Sequence, residues 1–438
     1  MTGEPVSRLV VTLAIPTIVS MMITSVYNLA DTAFVGELGT SASGAVGIVF
    51  GFMAIIQAFG FLFGQGTGSI ISRALGRRDV DAASTYASLG FLAAFVSGVV
   101  IAVACFGQLD AVVHVLGSTN TIAPYAKTYI AFILVAAPFM CSSFALNNVL
   151  RYEGKAMLGT IGIGVGALLN ILGDIVFMRF LGMGIMGAGL STALSEFVGW
   201  CVLLGMFLRG KTASRLSVGA LRSARVPFLA DIVATGFPSL LRQALNSVTT
   251  VMLNSCCAVY GDAAVAGMSI VSRVVFFAFS LALGVGQGFQ PVAGYNYGAK
   301  KYGRVRQAFR FTVVASQVVI VVASTVLLVF PEPIIACFQN DPAVIEVGVR
   351  ALRLQAIALL SLPVCVATEM LYQSTGHRAG ATFLSGLRNG LLFIPLLLVL
   401  SSVRGLAGVQ EAQPLSFVLS LPVTIPFIVR FFSGLPQD

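Results

Sequence analysis

The chain has 438 residues, of which 57% are hydrophobic and only 10% charged, with a mean hydropathy of +0.94; a soluble domain carries about 25% charged residues. So little polar surface cannot cover a globule in water, which excludes a soluble enzyme or binding module and indicates a polytopic membrane protein. The net charge of +9 does not point to nucleic acid, because Lys and Arg gather in short segments between apolar runs, as orientation signals do.

Apolar runs bounded by charge, Gly and Pro predict twelve spans, at 9–36, 43–71, 83–107, 121–149, 156–179 and 185–208, then 228–259, 264–292, 308–330, 345–373, 379–402 and 412–432. Barrel strands are about ten residues long and alternate in polarity. These runs are far longer and do not alternate, so they are predicted helices. The first run begins near Leu9 and is too long for a signal-peptide core, so no cleavable signal is expected. Six of the cysteines (Cys105, Cys141, Cys201, Cys256, Cys257 and Cys365) lie in apolar segments without a CxxC or Cys/His cluster, and read as reduced packing residues.

Basic residues mark alternate loops. Arg73, Arg77 and Arg78 follow the second span, Arg151 and Lys155 the fourth, and Lys300, Lys301, Arg304, Arg306 and Arg310 the eighth; Arg378 follows the tenth. The segment after the sixth span, "RGKTASRLSVGALRSAR", carries Arg209, Lys211, Arg215, Arg222 and Arg225. The opposite loops, "QLDAVVHVLGSTN" and "PEPIIACFQNDPAVIE", are acidic or neutral. The positive-inside rule then predicts both termini in the cytoplasm.

The chain also repeats itself at a constant offset of 222 residues. Pro16 meets Pro238, Gly39 meets Gly261, Ile48 meets Ile270, "GQG" at 64–66 meets "GQG" at 286–288, and Gly76, Gly154 and Gly164 meet Gly298, Gly376 and Gly386. An even number of spans per repeat inserts both halves the same way, a parallel repeat of the transporter type. The expected organisation is an N-lobe at 1–208, a cytoplasmic linker at 209–227 and a C-lobe at 228–438.

Motifs for chemistry are sparse. "GQGTGS" (64–69) and "GIGVG" (162–166) follow no strand and lack a GK[ST] ending, so they read as small-residue helix contacts rather than phosphate loops. His114 and His377 are isolated, and no catalytic set or zinc spacing is present, so neither an enzyme nor a cofactor is expected. The informative residues are ionisable groups inside spans: Asp31, Asp174, Glu196, Arg242, Arg273, Glu369 and Arg388. Each costs about 2.5–3.5 kcal/mol on insertion scales and marks a candidate site. Arg273 and Arg388 can snorkel or pair, and Glu196 and Glu369 can act as helix-packing hydrogen-bonders. Asp31 and Asp174 differ in having polar company one turn earlier, in Tyr27 and Asn170. Such faces suit proton exchange, sodium ligation or a buried network that locks helices together. Their repeat counterparts are Leu253 and Leu396, so ion coupling is predicted for the N-lobe alone.

These residues carry a family resemblance. "YNLADTAFVGELG", "GFLFGQGTGSIISRALGRRD", "LLNILGDIVFMRFLGMGIMGAGLSTALSE" and "QPVAGYNYGAKKYGRVRQAF", in this order, resemble the multidrug and toxic compound extrusion (MATE) family, in its bacterial DinF-like and MepA-like branch. The resemblance spans essentially the whole chain. It implies an all-α membrane protein of twelve helices in two six-helix lobes, a V-shaped multidrug efflux antiporter in the bacterial inner membrane. It would export organic, often cationic compounds in exchange for H⁺ or Na⁺ by alternating access, with no other cofactor, no nucleic-acid partner and a monomeric state in the bilayer. The coupling-ion positions of the family match Tyr27, Asp31, Asn170, Asp174 and Thr192, of which Asp31, Asn170, Asp174 and Thr192 would take Na⁺. Asn147 matches a polar cavity position. Two departures stand out. The family's "LDP" reads "GDI" here, which removes a proline after Asp174. The seventh span reads "FPSLLRQALN", placing Arg242, Gln243 and Asn246 toward a substrate cavity without an acid. A flippase for a lipid-linked precursor is the alternative, and it would need a strongly basic cavity.

Overall fold

The structure is a computed structural model that describes residues 1–222 and 226–436. Arg225 of the basic linker lies outside the described residues, as does the side chain of Arg222. The described chain is helical throughout: α1 (Val6–Gly36), α2 (Thr40–Gly76), α3 (Val80–Phe106), α4 (Leu109–Val115), α5 (Ala123–Tyr152), α6 (Ala156–Asp174) and α7 (Gly184–Leu208), then α8 (Val218–Arg222), α9 (Val226–Ala258), α10 (Asp262–Gly298), α11 (Tyr302–Val329) and α12 (Pro331–Phe338). The chain ends with α13 (Pro342–Leu359), α14 (Leu362–Thr375), α15 (Arg378–Gly386), α16 (Phe393–Arg404) and α17 (Leu406–Ser433). π-helical turns follow α6 at Ile175–Phe180 and join α15 to α16 at Leu387–Leu392.

Ten helical segments are long and apolar enough to cross a membrane. α13 and α14 form an eleventh, bent by 53°. The expected straight span at 345–373 is therefore broken. Pro363 lies in the first turn of α14, where its missing N–H costs nothing and restarts a helix after Leu360 and Ser361. α9 completes the twelve. It is 33 residues long, and Asp231, Arg242, Gln243 and Asn246 make it more polar than an ordinary span.

The repeat is written into the backbone. α2, α3, α6 and α7 start at Thr40, Val80, Ala156 and Gly184; 222 residues on, α10, α11, α15 and α17 start at Asp262, Tyr302, Arg378 and Leu406. The short α4 has its counterpart in α12 at the same offset. Left-handed backbone recurs in register at Gly39 (φ 109°) and Gly261 (φ 93°), and at Arg78 (φ 63°) and Lys300 (φ 59°). Both glycines precede a long helix in a conformation that side chains with a Cβ resist.

The chain forms two compact units, Val19–Leu240 and Met1–Ile18 with Leu241–Asp438. These limits differ from a division at the linker. They fall inside α1 and α9, two residues after the repeat-equivalent prolines Pro16 and Pro238. A proline inside a helix removes one backbone bond and favours a kink there. In the Val19–Leu240 unit, α5 is central and packs on α2, α3, α6 and α7. The basic linker is tied to this unit: Glu153 accepts from the backbone N–H of Ala213 (2.8 Å) and of Ser214 (2.9 Å), and Arg215 N donates to Ser84 Oγ at 3.0 Å. In the other unit, α10 packs on α11, α13 and α14, and Arg304 donates to the carbonyls of Met1 and Glu4.

The two GQG motifs are close helix contacts. A Cβ on Gly66 would lie 2.2 Å from the carbonyl oxygen of Ile232, and one on Gly236 would lie 1.8 Å from that of Leu62. In the other repeat, a Cβ on Gly288 would lie 2.6 Å from the backbone nitrogen of Ala14. Backbone atoms cannot yield as side chains do. Gly236→Ala is therefore expected to destabilise the protein by at least the ~1–3 kcal/mol of ordinary overpacking. Gly205→Ala on α7, which meets nothing within 4 Å, should be neutral or gain about 0.5–1 kcal/mol. Melting of both variants in detergent checks this; equal melting temperatures would contradict it.

Candidate functional site

The Val19–Leu240 unit brings together the polar residues of three helices. Asp31 comes from α1, Asn170 and Asp174 from the end of α6, and Thr192 from α7. All four are buried, at 3%, 2%, 0% and 3% exposure respectively. Close approach of α6 and α7 makes this possible. A Cβ on Gly173 would lie 2.4 Å from Ser191 Oγ, so the glycine of "GDI" admits a contact that a leucine would block. In place of a proline after Asp174, the helix widens into the π turn, a feature frequent at functional sites.

The hydrogen bonds fix which way each group faces. Tyr129 of α5 donates its hydroxyl to Asp31 Oδ2 at 3.2 Å. Thr192 Oγ1 donates to the carbonyl of Ala188 (3.0 Å) and accepts from Asn170 Nδ2 (3.2 Å). Ser191 Oγ donates to the carbonyl of Asn170 at 2.8 Å. With its amide nitrogen held by Thr192, Asn170 turns its oxygen the other way. Four buried oxygens then have no hydrogen-bond partner among the described residues: Asp31 Oδ1, Asn170 Oδ1 and both carboxylate oxygens of Asp174. Asp31 and Asp174 are near enough for their charges to interact. Neither belongs to any ion pair among the described residues. Acceptors thus exceed donors in a desolvated cluster, and buried charge without compensation is costly. Such a donor-poor oxygen set fits a proton on a carboxylate or a hard cation.

A small cavity of about 70 Å³ adjoins the cluster. Tyr27, Asn147, Asn170, Thr192 and Glu196 are on its walls. Tyr27 is close enough to Glu196 and Asp31 to feel both charges. "GIGVG" forms part of the same wall: a Cβ on Gly162 would lie 2.4 Å from the Leu203 side chain, and Gly166 faces Gly199. These are contacts of small residues between α6 and α7, not a phosphate loop.

Arg242, Gln243 and Asn246 do not join Asn147 in that cavity; they belong to the other unit. Arg242 is paired with Glu369 at 2.5 Å, with side chains 8% and 6% exposed. Ser385 Oγ donates to the same Glu369 oxygen at 2.7 Å. Gln243 is half-buried, and Asn246 lines a separate cavity. One contributor escapes the sequence reading, and another is ranked low there: Glu196 stands among the ionisable candidates as a helix-packing hydrogen-bonder, although Thr192 lies one turn before it, the same spacing that singles out Asp31 and Asp174. Tyr129 is neutral and sits in an apolar run, so a search for ionisable groups passes over it.

The MatE family model matches residues 16–176 and again 238–399, once per repeat. The multidrug export protein MepA of Staphylococcus saprophyticus is 26% identical over 397 residues, covering 90% of this chain and 87% of its own length. MepA of Staphylococcus haemolyticus is 28% identical over the same shares. Among solved structures, the chain resembles an outward-facing multidrug resistance MATE family transporter of the MOP superfamily (TM-score 0.92, 24% identity, 99% of this chain and 98% of that one). It also resembles a MOP superfamily transporter from Pyrococcus furiosus (TM-score 0.93, 24% identity, 99% and 98%). These structural likenesses bear on the fold.

Proposed function

This chain belongs to the MatE family, and on that premise we propose that it exports organic, mainly cationic compounds in exchange for H⁺ or Na⁺, with Asp31 and Asp174 as the coupling carboxylates. The observation that carries the reading is the set of four partnerless buried oxygens on Asp31, Asn170 and Asp174. An ion arriving there removes the cost of the uncompensated charge; an ion leaving restores it. A protein cycling between those conditions can couple ion entry to substrate exit. The curated relatives named as multidrug export proteins support the same reading.

Each residue has a role in this scheme. Asp31 and Asp174 take protons, or with Asn170 and Thr192 supply oxygens to Na⁺. Thr192 already donates to a carbonyl and accepts from Asn170, so its larger contribution is to aim the Asn170 oxygen. Tyr129 orients Asp31. Glu196, Tyr27 and Asn147 on the neighbouring wall receive the substrate. An acidic wall there favours cation export over translocation of an anionic lipid-linked precursor.

In the outward-facing state, ion binding at Asp31 and Asp174 neutralises charge and lets α1 rearrange beyond Pro16, which expels the substrate. In the inward-facing state the ion leaves and substrate enters. Both termini lie in the cytoplasm of a bacterial cell, and the working unit is a monomer. Each net charge moved inward per cycle supplies about 2.3 kcal/mol per 100 mV, and the chemical gradient of the ion supplies the rest. The test is uptake of a fluorescent cation by inverted vesicles, with pH and Na⁺ gradients imposed separately. One gradient alone should drive uptake; indifference to both would overturn the proposal.

A further inference from the structure

The N-terminal cavity has a counterpart at the repeat offset. Counting 222 residues on from Thr24, Tyr27, Gly166 and Ala167 gives Asn246, Thr249, Arg388 and Asn389, and all four line a second cavity in the C-terminal unit, of about 300 Å³. The chemistry is inverted between the two. The N-terminal cavity has Glu196 on its wall, and the counterpart of Glu196 is Val418; the C-terminal cavity has Arg388, and the counterpart of Arg388 is Gly166. Among the described residues, no acid lines the second cavity.

Arg388 is 9% exposed and sits in the π turn at Leu387–Leu392. Its guanidinium lies 5.0 Å from the Phe279 ring centre and 5.5 Å from that of Phe417, contacts that hold its plane without neutralising its charge. It donates Nε–H to Asn389 Oδ1 at 3.4 Å. Glu369, whose charge reaches Arg388, already accepts from Arg242 and Ser385. Arg388 itself belongs to no ion pair among the described residues. Glu369 is thus taken up by Arg242, and the positive charge of Arg388 borders a space walled by phenylalanines and neutral polar side chains. A desolvated charge of this kind calls for an anion, and a planar guanidinium suits a bidentate carboxylate or sulfonate.

We propose that this cavity is an anion subsite that takes the carboxylate or sulfonate of a flat aromatic compound. Arg388 binds the acid, Asn246 and Thr249 supply further polar contacts, and Phe276 and Phe393 pack on the ring. The proposal deepens the export reading by naming a second substrate class, one opposite in charge to the cations of the N-terminal cavity. The head group of an anionic lipid shares this chemistry, an acid on an apolar body, so the test separates the two.

The full-length protein in phosphatidylcholine nanodiscs is titrated with radiolabelled naphthoate and, separately, with naphthylmethylammonium of the same shape. Binding is measured without transport, so failure here and failure of export are distinguishable. Arg388→Gln should weaken naphthoate roughly tenfold or more, the loss typical of a hydrogen bond to a charged group, and leave the ammonium ligand unchanged. Arg388→Lys should retain part of the naphthoate affinity. If Arg388→Gln does not yield folded protein, Asn246→Leu on the same wall should weaken naphthoate alone. Equal losses for both ligands, or none, overturn the proposal. So does displacement of naphthoate when phosphatidylglycerol is added to the discs, which would assign the cavity to a lipid.

Discussion

Asp31→Asn is expected to abolish gradient-driven export while leaving the protein folded and inserted. Asparagine keeps the shape and an acceptor oxygen for the Tyr129 hydroxyl, so the hydrogen bond now at 3.2 Å can persist. What it loses is the capacity to change charge. Each net charge moved inward per cycle, beyond the charge that the substrate carries out, supplies about 2.3 kcal/mol at 100 mV, equivalent to a substrate concentration ratio of roughly 50-fold. Vesicles carrying the variant should therefore equilibrate a fluorescent cation without accumulating it. Asp174→Asn should behave alike, because the charges of Asp31 and Asp174 interact. Accumulation at the wild-type level by either variant would remove that carboxylate from the coupling scheme.

Glu369→Gln should produce the largest loss of stability. Glu369 is the acid shared by Arg242 and Ser385, with Arg388 close enough to feel its charge. Removing one partner of a buried pair leaves an uncompensated charge and costs about 3–5 kcal/mol. The effect should appear as a lowered melting temperature in detergent and poor recovery of monodisperse protein. Replacing the pair together, as Arg242→Leu with Glu369→Leu, removes both charges and should recover most of the loss, since apolar replacements of buried pairs are often neutral. A Glu369→Gln variant that melts with the wild type would show that the pair does not hold α9 to α14.

Much of this architecture is legible in sequence because membrane insertion imposes simple rules. A span must be long and apolar, so the twelve runs stand out from composition alone. The 222-residue offset is legible because it rests on residues with no substitute, such as Gly39 and Gly261 at positive φ and the GQG glycines against backbone. The break between α13 and α14 was not, because Pro363 inside an apolar run does not reveal whether it bends a helix or starts one. The Arg242–Glu369 pair joins residues far apart in sequence, and nothing local to either names the other.

The candidate site was legible to the extent that polarity violated the span rule. Asp31, Asn170 and Asp174 declared themselves by helical spacing, and Thr192 and Asn147 by family resemblance. Tyr129 depends on α5 lying at the centre of its unit, a tertiary fact. The unlike lining of the two cavities was also hidden, because Arg388 and Gly166 are equivalent only once the offset is applied to lining residues that packing alone defines.

The most direct measurement of the central claim is ion release on substrate binding. Purified protein in weakly buffered detergent is mixed with a cationic substrate while pH is followed, and a parallel sample loaded with radioactive Na⁺ is followed for its loss. Wild-type protein should release protons or Na⁺ in proportion to bound substrate, and the Asp31→Asn, Asp174→Asn double variant should bind substrate and release neither. Undiminished release from the double variant would contradict the account and place coupling elsewhere in the chain.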